Sequence, residues 1–230
     1  MWKQIYIKQV SAFSFRKSKA FESSSGPLAT WLRQGELMSA QIDCSAWNAD
    51  EFSRVLHTLR PLTQEKNLSV IAERLKTACA STGVAVVILP SPAGCRASGA
   101  TRFLSPSKAV LMLSLRHATE DHFWFTFFHE AAHLLFHCTA DIGFVDEEIL
   151  EEGVQETEAN EFAESVLIPS DRHSEMLNLS SERRDIIKFA RSIGVSPGIV
   201  AGQLQHHGKI RMSHFNSLKR KLSFDDQSES

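Results

Sequence analysis

The stretch Phe123 to His137 reads FWFTFFHEAAHLLFH. Within it, His129-Glu130-Ala131-Ala132-His133 matches the pattern H-E-x-x-H. On a helix, two histidines four positions apart project within about 40° of each other around the axis. Both imidazoles then reach one metal ion, and Glu130, beside the first of them, reaches a water on that ion. The five residues alone are a modest signal, because a charged amphipathic helix can contain them by chance. The flank strengthens it: the seven residues before His129 hold four Phe and one Trp. A helix apolar on nearly every side is a buried one. Buried histidines and a buried glutamate need partners, and a metal supplies them.

The 230 residues are enough for one large domain, or one domain with an appendage, and 43% apolar with 23% charged residues is ordinary for a globular chain. A net charge of −2 selects no partner class, but the charge is unevenly placed. Residues 1–20 are basic, Asp141 to Glu164 is acidic, and Arg183 to Lys221 is basic again. Such blocks are ordinarily solvated surface. Cys44, Cys79, Cys95 and Cys138 form no C-x-x-C pair, so free thiols in a reducing compartment are expected. The N-terminus lacks the apolar run of a signal peptide, and no window approaches the ~20 apolar residues of a membrane span. A cytoplasmic protein with no membrane contact is the expectation.

Residues 1–26 are expected to be a basic segment ending in the linker-like Glu22-Ser23-Ser24-Ser25-Gly26-Pro27. A single domain over 27–222 follows, comprising a helical lead-in (27–82), a core (83–170) and C-terminal helices (171–222), with a polar tail at 223–230. Helices are expected over Ala29 to Ile42, from Asn48 through Leu59, and over Leu68 to Ala80. The pattern then becomes β-branched. Val84 to Leu89, Gly99 to Leu104 and Ala109 to Leu115 read as strands, with the turn of the last pair at Ser105-Pro106-Ser107. The metal helix follows at 119–137, then a short strand near Ile142 to Val145. Further helices are expected at Glu152 to Leu167, Ser181 to Ile193, Pro197 to His207 and His214 to Leu222.

A catalytic zinc site has three protein ligands and keeps one position for water. The acidic segment after the metal helix offers many acids, and helical phase chooses among them. Ala159, Phe162, Ala163, Val166 and Leu167 define an apolar face. At about 100° per residue, Glu156 falls on its edge, Glu158 and Glu161 point away, and Glu164 is flanking. Glu152 has a similar phase but lies at or before the helix start. Glu156 is therefore the best third ligand. Asn160, one turn on, lies beside it, and its amide oxygen can accept the spare N–H of a ligand histidine.

The pairing of FTFFHEAAHLLFH with Glu156-Thr-Glu-Ala-Asn-Glu-Phe-Ala163, ending in Leu167-Ile168-Pro169, resembles the ImmA/IrrE metallo-endopeptidases. It is closest to the HigA-like branch, usually fused behind an Xre-type helix-turn-helix; the residues ahead of the likeness here are not expected to form that domain, so the expectation is that it was lost, is encoded separately, or is missing from a fragment. Trp31 to Glu36, Ser98 to Arg102, Leu113 to Arg116, Asp121 to Phe125 and Ile193 to Val200 extend the likeness, which covers roughly residues 27–222. The resemblance implies His129, His133 and Glu156 as metal ligands and Glu130 as catalytic base. It also implies a narrow substrate, often a cognate helix-turn-helix repressor, in stress response, mobile-element control or toxin–antitoxin regulation.

Other residues carry plainer readings. His137 is rotated about 80° from His129 and is expected to be structural or to support a ligand. His206-His207 suits the negative end of a helix dipole, His122 helps begin the metal helix, and Cys138 is expected to be a free thiol. Arg116 precedes the metal helix and is a candidate to stabilise an oxyanion or hold a substrate carbonyl, with a salt bridge to the acidic segment as the alternative. The one tyrosine, Tyr6, is remote in sequence. Ser181 to His207 has the cadence of a helix-turn-helix, yet its second helix opens Pro197-Gly198-Ile199-Val200-Ala201-Gly202, without the side chains that read bases. Packing is expected of it, and direct DNA binding is not.

The expected fold is α+β: a zincin-like metalloprotease domain with a small mixed or antiparallel sheet packed on the H-E-x-x-H helix, and flanking helices. The expected activity is metal-dependent peptide hydrolysis, with Zn2+ by default and Mn2+ as the alternative ion. Ala109 to Leu115 is the candidate edge on which an extended substrate pairs. The competing functions are a non-catalytic metal-bound module that binds a toxin or repressor, and a DNA-binding regulator acting through the C-terminal helices.

Overall fold

A computed structural model of the chain describes residues 25–139, 144–147 and 153–223. The basic N-terminal segment up to residue 24, the start of the strand expected at Ile142, Glu152, and the tail from Phe224 lie outside these residues.

Among the described residues, eight α-helices and four strands follow one another in the order α1 (Ser25–Ala40), α2 (Ala49–Leu59), α3 (Leu68–Ala80), β1 (Val84–Ile88), β2 (Ala97–Ser105), β3 (Lys108–Leu113), α4 (Glu120–Phe136), β4 (Phe144–Glu147), α5 (Val154–Leu167), α6 (Ser170–Leu177), α7 (Arg183–Ile193) and α8 (Pro197–His206). Local chemistry sets many of these limits. Asn48 caps α2 by accepting from the Glu51 amide, and Asn67 caps α3 by accepting from Ser69 and Val70. Helix α7 ends on Gly194 at φ 76°, a left-handed position that suits glycine. Ser196 caps α8, with Pro197 in its first turn.

The strands form one mixed sheet in the order β1-β3-β2-β4. β1 runs parallel to β3, while β2 pairs antiparallel with both β3 and β4. The period of two in β1 and β3 sorts their side chains onto two faces. Val84, Val86, Ala109, Leu111 and Leu113 join the main core with Trp124, Phe127 and Phe128 of α4. Ala85, Val87, Val110 and Met112 face the other way, and Leu28, Trp31 and Leu32 of α1 cover them. β1 and β3 are thus buried on both sides, which is why they read as continuous apolar runs rather than alternating ones.

Three expectations are corrected. β3 is hydrogen-bonded to a neighbour on each side, so Ala109 to Leu115 is no sheet edge; the outer strands are β1 and β4. The helix expected over His214 to Leu222 is a single 3-10 turn at Asn216–Leu218, because Lys219, Arg220 and Lys221 run extended to tie the chain to the start of α4. Helix α6 follows Pro169 where no element is expected; of its eight residues only Met176 is buried, so it carries no apolar period to recognise.

That extended segment anchors the metal helix. Thr119 bridges Lys221, Lys219 Nζ pairs with Asp121 at 2.5 Å, and Arg220 pairs with the fully buried Glu120. Helix α8 is itself part of the core, with Ile199, Val200, Ala201 and Leu204 buried. It starts against the Glu120 carboxylate, where Gly198 is needed: a Cβ there would sit 2.2 Å from Glu120 Oε1. The helix-turn-helix cadence therefore belongs to a packed pair, with the second helix turned into the protein.

Candidate metal centre

Thirteen of the seventeen residues of α4 are buried, including His129, Glu130 and His133. The two Nε2 atoms of His129 and His133 lie 3.0 Å apart. Glu156 Oε2 stands 3.3 Å from His129 Nε2, and Oε1 stands 3.6 Å from His133 Nε2. A tetrahedral zinc with bonds of about 2.0–2.1 Å sets its ligands roughly 3.3–3.4 Å apart. The three observed separations bracket that value, so the donor set fits a divalent ion.

The opposite ring nitrogens are also occupied. His129 Nδ1 is 2.9 Å from Asn160 Oδ1; an amide oxygen only accepts, so Nδ1 carries the proton and Nε2 presents a lone pair. His133 Nδ1 is 2.9 Å from His137 Nδ1, and His137 Nε2 is 2.9 Å from Glu158 Oε2. Protons directed outward along this chain, from His133 to His137 to Glu158, leave the His133 Nε2 lone pair facing the same point. Burial favours the neutral form of Glu156, but the adjoining His129 and His133 rings outweigh it and hold the carboxyl well below the usual carboxylate range. Burial lowers the pKa of His133, with Glu156 offsetting part of the shift. An ionised Glu156 and a neutral His133 are the forms that bind a metal ion.

Glu130 is completely buried and lies against β2 at Gly99. A Cβ on Gly99 would come within 2.6 Å of both Cγ and Oε1 of Glu130. Only a residue without a side chain lets the glutamate lie flat against the strand. Gly99→Ala is expected to displace the carboxylate by part of an ångström and, for any hydrolysis that Glu130 serves, to lower the rate roughly 10²-fold. Metal content should stay unchanged; a loss of metal in step with the rate would show instead that the whole centre has collapsed.

Arg116 donates to the Arg96 carbonyl and lines a small recess with His117, His122 and Thr126, one helical turn ahead of Glu130. His117 and His122 stack there, with ring centroids 4.7 Å apart. Cys138 is a free thiol, and burial, with Glu130 adding to it, pushes its pKa up. It is a protonated neighbour of the site rather than a thiolate ligand.

The structure thus brings together His129, His133, Glu156, Asn160 and Glu130, sets His137 behind His133 in a supporting position, and adds two residues not expected at the site, Gly99 and Glu158. Gly99 gives Glu130 its place. His137 and Glu158 form the carboxylate–histidine relay behind His133, although Glu158 points away from the apolar face of its own helix. His137 and Glu158 meet behind His133, beside the centre rather than in it. His137→Ala is expected to weaken metal binding about 10–100-fold, the usual consequence of losing such a partner. Competition with a chelator of known affinity would measure it, and an unchanged affinity would remove His137 from the site.

An α+β fold with two buried histidines and a half-buried glutamate converging from two helices, and a second glutamate beside the first histidine, has the form of a metallopeptidase centre. The chain belongs to the peptidase family described as the IrrE N-terminal-like domain, whose family model matches residues 79–205, more than half of its length. That span contains every residue of the centre, and membership implies a metal-dependent peptidase. No curated protein matches the chain. Among the described residues, no helix is long and apolar enough to cross a membrane.

Proposed function

We propose that this protein is a metallo-endopeptidase that cuts a specific protein partner, with His129, His133 and Glu156 as metal ligands and Glu130 as the general base. The observation that carries this reading is the convergence of three ligand atoms beside a wholly buried glutamate. Zn2+, or Mn2+ in its place, would supply a polarised water and an electrophile for the scissile carbonyl. The chain's own residues supply the rest. Glu130 accepts the proton from the attacking water and delivers it to the departing amine. Asn160 and the His137–Glu158 relay fix the imidazole tautomers and orientations. Arg116 is the candidate to hold the substrate backbone, from its recess on the Glu130 side of α4.

The substrate class we favour is a helix-turn-helix repressor or regulator in a stress, mobile-element or toxin–antitoxin setting. Support for it comes from the family resemblance rather than from the site, whose geometry does not choose a peptide. The test is co-expression of the chain with the helix-turn-helix protein encoded nearest to it, followed by mass spectrometry of the partner. One defined cut, lost when His133 is replaced by alanine, is the expected result. Binding of the partner with no cut at any metal supplied would favour a non-catalytic module that binds a toxin or repressor.

A further inference from the structure

A second group of metal-ligating side chains lies outside the centre. Glu164 of α5, His173 of α6 and His207, which caps the end of α8, bring one ligand atom each to within 4.8 Å of one another. They come from three helices that are separate in sequence and packed together only in the fold. Glu164 Oε1 lies 3.2 Å from His207 Nε2. The rings of His173 and His207 stand edge to face, with centroids 5.1 Å apart.

The geometry at the nitrogens separates this group from a surface ion pair. Nε2 of His173 and Nε2 of His207 are both shielded from solvent, and among the described residues neither makes a hydrogen bond. Buried polar atoms are ordinarily satisfied. His207 Nε2 is close enough to Glu164 for an ion pair, yet the two atoms are not aligned as donor and acceptor. Lone pairs directed at a common point between residues, rather than at each other, produce that combination of short separation and poor alignment. His206, with Nε2 3.6 Å from the same Glu164 oxygen and largely exposed, stands at the rim as a further donor.

We infer that Glu164, His173 and His207 form a second divalent-metal site, built on three helices and distinct from the His129–His133–Glu156 centre. Two imidazoles and one carboxylate suit a borderline transition ion such as Zn2+, Co2+ or Ni2+, and not Mg2+ or Ca2+, which take oxygen ligands. An ion there clips the C-terminal half of α5 to α6 and to the end of α8. Helix α5 carries Glu156 and Asn160 at its other end, so the clip fixes the helix that completes the first centre. An ion that binds only the folded arrangement also raises its stability by mass action. The sequence reading of His206-His207 as a helix-dipole pair is compatible with this, because a helix C-terminus and a bound cation attract each other.

The full-length chain, stripped with a chelator, is titrated with Co2+ alone while its visible absorption is followed. The wild type should take up two ions with separable spectra. His173→Ala combined with His207→Ala, and separately Glu164→Gln, should each lose one ion and keep the other. His129→Ala combined with His133→Ala should lose the other ion instead, which keeps the test independent of the peptidase reading. Uptake of a single ion by the wild type, lost wholly with the His129 and His133 substitutions, would overturn the inference. Should a variant unfold by circular dichroism, the wild type still decides. Paramagnetic broadening of the His173 and His207 ring resonances by Co2+ supports the site, and unbroadened resonances with the first centre saturated reject it.

Discussion

Glu130→Gln is expected to leave the protein folded and metal-loaded while lowering the rate of peptide cleavage by about 10²–10⁴-fold, the usual contribution of a general base. The side chains are nearly the same shape, so the packing against Gly99 survives. The His129, His133 and Glu156 ligand atoms are untouched. What disappears is the carboxylate that takes the proton, and an amide cannot replace it. Metal content by mass spectrometry and initial rates on the cleaved partner, measured on the same preparations, make the test. A variant that keeps its metal and cleaves at the wild-type rate would falsify the general-base role. Loss of metal and activity together would place Glu130 among the ligands instead.

Arg220→Ala is expected to cost about 3–5 kcal/mol of stability, the range found when one partner of a buried ion pair is removed. Glu120 is wholly inaccessible to solvent, and its carboxylate is held by the Arg220 guanidinium and the Ser196 hydroxyl. The same guanidinium donates to the Thr63 and Gln64 carbonyls. Its removal strands a buried charge and two backbone acceptors at the first turn of the metal helix. Because the Arg220 side chain is 24% exposed, water can enter after the substitution, and the lower end of the range is expected. Urea unfolding measures the loss. Replacing Glu120 by glutamine in the Arg220→Ala background should recover part of it, since no charge is then stranded. A loss below about 1 kcal/mol would mean that the 219–221 segment is an ornament on α4 rather than its anchor.

Much of the centre was legible because it depends on short-range periodicity. H-E-x-x-H places two histidines on one side of α4, and the apolar phase of α5 selects Glu156 and Asn160 from a crowded acidic segment. Both deductions need only the rise and twist of a helix. The same arithmetic left Glu158 aside, because it measures direction from the core and not from a neighbouring helix. His137 and Glu158 meet where α4 and α5 cross, and a crossing is invisible to either helix alone. Gly99 illustrates the same limit: its lack of a side chain matters only because Glu130, 31 residues later in the sequence, packs on it.

The larger misjudgements have a common physical origin. β3 reads as an apolar strand whether it is interior or outermost, since its two neighbours are chosen by β1 and β2 and not by its own residues. Lys219 to Lys221 follows a run with some helical spacing, yet buried Glu120 and Asp121 draw its charges into extended pairing. Helix α6 has one buried side chain and therefore no pattern, but it delivers His173 to Glu164 and His207. By itself the sequence determined the metal helix, two candidate ligands on it, a third on α5, and the α+β class, because each follows from residue spacing within single elements. Only the tertiary structure decided the strand order, the relay behind His133, the anchor at Glu120 and the second cluster, because each is a meeting of elements far apart in the chain.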